Sequence, residues 1–179
     1  KWDTGQPRTG TSEIPLRYLQ PFLRDAEAKI LDVGCGYGTS IIPFLNAGYK
    51  NICGIEHSRK RADYVKSHLQ IPVSHCMLEN IRDDDIYKNH GPFDAVYLWH
   101  VFEHIFDIDR AAREIAAILK PGGALFIAVP YIQAEPTALL AHFFPHLHAF
   151  NAENLSLLLE TNGLQTKKLD VGMKNGVLI

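Results

Sequence analysis

Residues 30–40 read ILDVGCGYGTS, with glycines at every second position (Gly34, Gly36 and Gly38) and a carboxylate, Asp32, two residues before the first. Glycine has no side chain, so Gly34 and Gly36 let a ligand lie directly against main chain. A dinucleotide loop has GxGxxG spacing and aims a helix N-terminus at a pyrophosphate. Here the spacing is GxGxG, and the charge on Asp32 repels a pyrophosphate while suiting a ligand that carries an ammonium and a sulfonium. A second carboxylate, Glu56, follows in GIEHS (54–58). About twenty residues past a glycine loop, a carboxylate can accept hydrogen bonds from both hydroxyls of a ribose, a spacing that dinucleotide folds also use.

The segment WHVFEHI (99–105) gathers His100, Glu103 and His104. His100 follows an apolar run and is the first candidate for a base; His146 is the second, in a stretch that also carries His142 and His148. The i, i+4 spacing of His100 and His104 permits a metal. HxxEH as an inverted zinc-protease signature needs a long helix and a further ligand. This segment ends at Asp107 within a turn, so no metal is expected. Cys35, Cys53 and Cys76 have no CxxC spacing and are expected to be reduced, Cys35 and Cys53 as small buried fillers.

These residues need a scaffold. The 179 residues suffice for one domain, and 46% hydrophobic and 21% charged content is that of an ordinary globular chain. A net charge of −2 gives no basic face for nucleic acid. No apolar run is long enough to span a membrane and no signal peptide is visible, so a cytoplasmic protein without membrane association is expected.

Short apolar runs, KILDV (29–33), NICGI (51–55), IPVSHC (71–76), FDAVYLW (93–99) and ALFIAV (124–129), read as buried strands. Between them lie helical periodicities: one from Ser58 with Ala62, Val65 and Leu69 inward, and one from Asp107 or Asp109 with Ala112, Ile115 and Leu119 inward. A third runs from Asn151 with Leu155, Leu158 and Leu159 inward. The run Lys120-Pro121-Gly122-Gly123 is expected to close the second helix with a turn. Strands alternating with helices imply an α/β fold with a parallel sheet covered on both faces, whose ligands bind beyond the carboxyl ends of the strands. The glycine loop, Glu56, Met77 and Leu78, and Trp99 and His100 all fall at that edge.

The ordered set ILDVGCGYG, GIEHS, FDAVYLWHVFEHI, ILKPGGALFIAVP and HAFNAENLSLLLETNGL resembles the class I S-adenosylmethionine-dependent methyltransferases over most of residues 29–164. The resemblance implies a single Rossmann-like, doubly wound domain of the seven-stranded type, its last strand truncated or absent, with S-adenosyl-L-methionine as cofactor. Within residues 1–179 it implies a cap segment (1–28), a cofactor-binding core (29–130), a lid (131–150) and a C-terminal helix and strands (151–179). Gly34, Cys35 and Gly36 would lie along the methionyl part, with Asp32 toward its amino end. Glu56 would hold the ribose and His57 would flank the adenine. Where many relatives have an acidic adenine contact this chain has Met77, so main chain at Met77 and Leu78, or Glu79, is expected to read the adenine edge. Trp99 would line the crevice. Trp2 and Arg8 are candidates to close the site, and Phe143 and Phe144 to wall the acceptor. The implied reaction is in-line methyl transfer to a small-molecule acceptor. A catalytically silent binding domain and a nicotinamide-dependent oxidoreductase are the other readings; GxGxG spacing and Asp32 argue against the latter.

Overall fold

The computed structural model describes residues 12–130, 146–168 and 170, and the main chain of residues 177–178. Its strands are β1 (Ile30–Val33), β2 (Ile52–Ile55), β3 (Val73–Ser74), β4 (Phe93–Trp99), β5 (Leu119–Pro130) and β6 (Val177–Leu178). Its helices are α1 (Ile14–Leu19), α2 (Ile42–Asn46), α3 (Arg59–Leu69), α4 (Asp85–His90), α5 (Ile108–Ile118) and α6 (Ala152–Thr161). The sheet order is β3-β2-β1-β4-β5-β6. The first five strands are parallel. The chain runs outward from β1 through β2 to β3, then returns to place β4 on the other side of β1. The carboxyl ends of β1 and β4 therefore mark the topological switch point, where such sheets bind ligands.

β1 and β2 are buried on both faces, as a central parallel strand must be. Leu31, Val33, Val96 and Leu98 pack on one side with Ala112, Ile115 and Ile118 of α5. Ile30, Ala95 and Tyr97 pack on the other with Phe44, Val65 and Ala62. Asp107 caps α5 by accepting from the Arg110 amide at 2.9 Å. Asn151 and Asn154 form a reciprocal capping box at the start of α6.

Three local expectations change. Ser58 stands at the N-cap of α3, but its side chain makes no capping bond. The Lys120–Gly123 turn lies within β5 as an irregularity: Leu119 pairs with Phe93 and pairing resumes at Ala124 with Ala95, so the intervening residues bulge around Gly122 at φ +76. Near the C-terminus, where the resemblance implies a last strand truncated or absent, Val177–Leu178 pair antiparallel with Val129 and Pro130.

Candidate active site

The glycine loop leaves β1 with Gly34, Gly36 and Gly38 all in the left-handed region, at φ +72, +56 and +77. Their surroundings differ. A Cβ on Gly34 would lie 2.5 Å from Val101, and one on Gly38 would lie 2.6 Å from Leu69. A Cβ on Gly36 would meet nothing within 4 Å. Gly34 and Gly38 are thus required by the protein's own packing, and Gly36 is the bare position open to a ligand.

Glu56 reaches across from the tip of β2. One carboxylate oxygen accepts from the Gly36 amide at 2.9 Å and the other from the Ser58 amide at 2.8 Å. The same carboxylate thus tethers the loop and fixes the amide of Ser58, the residue that precedes α3. A carboxylate offers about four lone-pair sites, so acceptor capacity remains for a diol. Arg61 lies 4.0 Å away and also covers the Tyr37 ring, which meets Tyr64 edge-on. His57 is exposed on this side.

Asp32 is placed differently from expectation. It is 1% exposed and shares the face of Ile30 and Tyr97. One of its oxygens accepts from both Tyr97 Oη at 2.7 Å and Ser40 Oγ at 2.8 Å. Burial pushes its carboxyl up to about 7, with the two hydroxyl bonds pulling the other way and Glu56 adding to the rise. A group that titrates near neutrality carries only part of a charge, so the charged flank expected from Asp32 is muted. It braces the loop from the interior.

Two further candidates are placed by the fold. The Cys35 side chain is 4% exposed and fills the space over Gly54, where a Cβ would lie 2.9 Å from its sulfur. Burial raises its thiol far above the usual range, so it offers a ligand main chain only. Leu78 is 3% exposed and belongs to the core, which leaves its main chain and the half-exposed Met77 at the adenine position. Trp99 stacks on Phe126 at 6.1 Å and meets His100 edge-on at 4.9 Å. Trp2, Arg8, His142, Phe143 and Phe144 lie outside the described residues.

Past β4, His100 sits at φ +55, a conformation uncommon outside glycine. A 3₁₀ turn (Phe102–His104) follows and buries Glu103 to 1% exposure. His100 Nδ1 and His104 Nε2 each lie 3.7 Å from Glu103 Oε1. The His146 ring lies tilted against that of His104, with centroids 4.9 Å apart. Ligand-type atoms of Glu103, His104 and His146 lie within 4.8 Å of one another. The fold thus joins both candidate bases, His100 and His146, to one buried carboxylate. The roles of Glu103, Tyr97 and Ser40 were not legible beforehand.

The family profile for a methyltransferase domain matches residues 9–169. The human mitochondrial ubiquinone biosynthesis O-methyltransferase is 32% identical over 164 residues, covering 81% of this chain and 43% of that protein. The chain therefore spans less than half the length of that relative. Among solved structures, an S-adenosylmethionine-dependent methyltransferase from Archaeoglobus fulgidus superposes with a TM-score of 0.72 at 16% identity, covering 90% of this chain and 71% of that one. The sugar N-methyltransferase KedS8 from Streptoalloteichus gives 0.68 at 19% identity, covering 98% and 88%. With the profile matched along nearly its whole length, this chain belongs to the class I S-adenosylmethionine-dependent methyltransferase family.

Proposed function

We propose that this protein transfers a methyl group from S-adenosyl-L-methionine to a small-molecule acceptor by in-line displacement. The observation that carries the reading is the pairing of Gly36, bare and open, with Glu56, whose carboxylate is fixed beside it with acceptor capacity remaining. Main chain without a side chain suits the methionyl part, and a fixed carboxylate suits the ribose hydroxyls. A pyrophosphate would meet Glu56 at the loop itself, which disfavours a nicotinamide dinucleotide.

S-adenosylmethionine, when bound, supplies a methyl group on a positively charged sulfur and so carries its own activation. What remains for the protein is to hold the acceptor in line and exclude water. Gly36 and Glu56 would fix the nucleoside, main chain at Met77 and Leu78 would border the adenine, and Trp99 would wall the crevice. His100, at the end of β4, stands where a proton leaving the acceptor could be taken. Similarity to the human O-methyltransferase of ubiquinone biosynthesis supports a small acceptor methylated on oxygen. Among the described residues no helix is long and apolar enough to cross a membrane.

The test is calorimetric titration with S-adenosylhomocysteine and with NAD⁺, followed by transfer of labelled methyl from S-adenosylmethionine to catechol and to ethanolamine. Binding of the sulfur nucleoside alone, with label appearing in an acceptor, is expected. Binding with no transfer to any acceptor would favour a silent binding domain. Heat from NAD⁺ alone would end the reading.

A further inference from the structure

We infer that Glu103 is a positioning residue that orients His100 as a base for a hydroxyl acceptor, which places the substrate among phenols and alcohols. The inference rests on the proposed methyl transfer and assigns the side chains that serve it. Both Glu103 oxygens are buried and have no hydrogen-bond partner among the described residues. A buried carboxylate in that state is costly, and such a group in a native fold calls for an explanation. The Glu103 carbonyl meanwhile accepts from the amides of Leu147 and His148 at 2.9 and 3.1 Å, so the segment leading into α6 is laid over it. The fold thus covers this carboxylate without satisfying it.

The titratable groups facing Glu103 are His100 and His104 from its own turn and His146 from the covering segment. At 3.7 Å the His100 contact is beyond hydrogen-bond length. Catalytic hydrogen bonds are often long before substrate binds and tighten in the complex. Two observations single out His100. It directly follows β4 at the switch point, and it is held at φ +55, a conformation that carries local strain and that clusters at active sites.

With Glu103 accepting Nδ1–H, the His100 lone pair is on Nε2. The acceptor O–H proton passes to Nε2 as the oxygen forms its bond to the methyl carbon. The carbon–sulfur bond breaks with its electron pair remaining on sulfur, giving neutral S-adenosylhomocysteine. The imidazolium so formed is balanced by Glu103 and later returns its proton to solvent. An acceptor already ionised near neutrality, such as a thiolate or carboxylate, gains little from this arrangement; a hydroxyl gains most.

The test uses the full chain with S-adenosylhomocysteine bound. Nitrogen NMR should show His100 as the Nδ1–H tautomer in the parent and a mixture of tautomers in Glu103→Leu, which cannot accept. Glu103→Gln should leave nucleoside affinity within about twofold and lower turnover on catechol about a hundredfold. An identical His100 tautomer in parent and Glu103→Leu would overturn the inference. So would methylation of ethanolamine but not catechol. Zinc or magnesium that perturbs the His104 and His146 resonances and restores turnover lost to EDTA would assign the carboxylate to a cation and overturn it too. If S-adenosylhomocysteine fails to bind the parent, the methyltransferase reading falls, while the tautomer measurement on the unliganded chain still judges the Glu103–His100 pairing.

Discussion

The Gly36 amide donates to the Glu56 carboxylate at 2.9 Å, so the tip of β2 and the glycine loop after β1 are one unit. The contact joins residues from adjacent parallel strands whose pairing runs to Val33 and Ile55. A ligand that engages Glu56 also engages the loop, and loosening either end loosens both.

Glu56→Ala should therefore weaken S-adenosylhomocysteine binding in two ways. The ribose loses a charged acceptor, and Gly36 loses the group that fixes its amide. Losing a hydrogen bond to a charged group costs about 1.5–3 kcal/mol, which is roughly tenfold to a hundredfold in affinity. Calorimetric titration reads this directly; an affinity within about twofold of the parent would remove Glu56 from the site.

Gly34→Ala and Gly36→Ala should separate folding from binding. Both residues have positive φ, which costs a side chain roughly 1–2 kcal/mol. At Gly34 the new methyl also meets Val101 at 2.5 Å, so the thermal midpoint should fall well beyond that of the second variant. At Gly36 the methyl enters open space, so stability should drop by the backbone cost alone while nucleoside binding falls steeply. Thermal melts paired with titrations check this. Equal loss of stability in both variants, with binding intact in Gly36→Ala, would contradict it.

How far the sequence reaches is visible in particular residues. The five parallel strands and the Asp107 and Asn151 caps were legible because they rest on local periodicity and capping chemistry. The hydroxyl partners of Asp32 were not legible because the main one is non-local: Asp32 is the register partner of Tyr97, and register between β1 and β4 is written nowhere near either strand. β3 spans only Val73 and Ser74, too short for alternation to tell that Leu78 turns inward and Met77 outward. Ser58 reads as a cap, yet its side chain makes no capping bond and its own amide donates to Glu56. The isolation of Glu103 depends on a segment more than forty residues on in the chain closing over it, which no spacing rule anticipates.

Asp32 should give the fold a pH-dependent stability of a definite sign. Its carboxyl is raised from 3.8 to about 7 in the folded state. As pH rises from about 4 the unfolded chain ionises first and binds fewer protons than the native one, so stability falls until about pH 7 and then levels. Three units correspond to a loss of about 4 kcal/mol. Asp32→Asn keeps an acceptor for Tyr97 and Ser40 and removes this slope. Denaturant unfolding of parent and variant between pH 4 and 8 decides the matter; parallel curves would show that Asp32 does not titrate in this window.

His100→Gly and His100→Ala should lose the same activity and differ in stability. Both remove the proposed base, so turnover on a hydroxyl acceptor should fall about a hundredfold or more with nucleoside affinity little changed. Both also remove the ring contact with Trp99. Alanine keeps a Cβ at φ +55, whereas glycine adopts that conformation without steric cost. The glycine variant should therefore be the more stable of the two, by about 1 kcal/mol once its greater unfolded-state freedom is counted. Turnover unchanged in both would exclude His100 from the proton transfer. Equal stabilities would show that the main chain there relaxes once the ring is gone, so that the left-handed turn is held by the His100–Glu103 environment and not by the strand end.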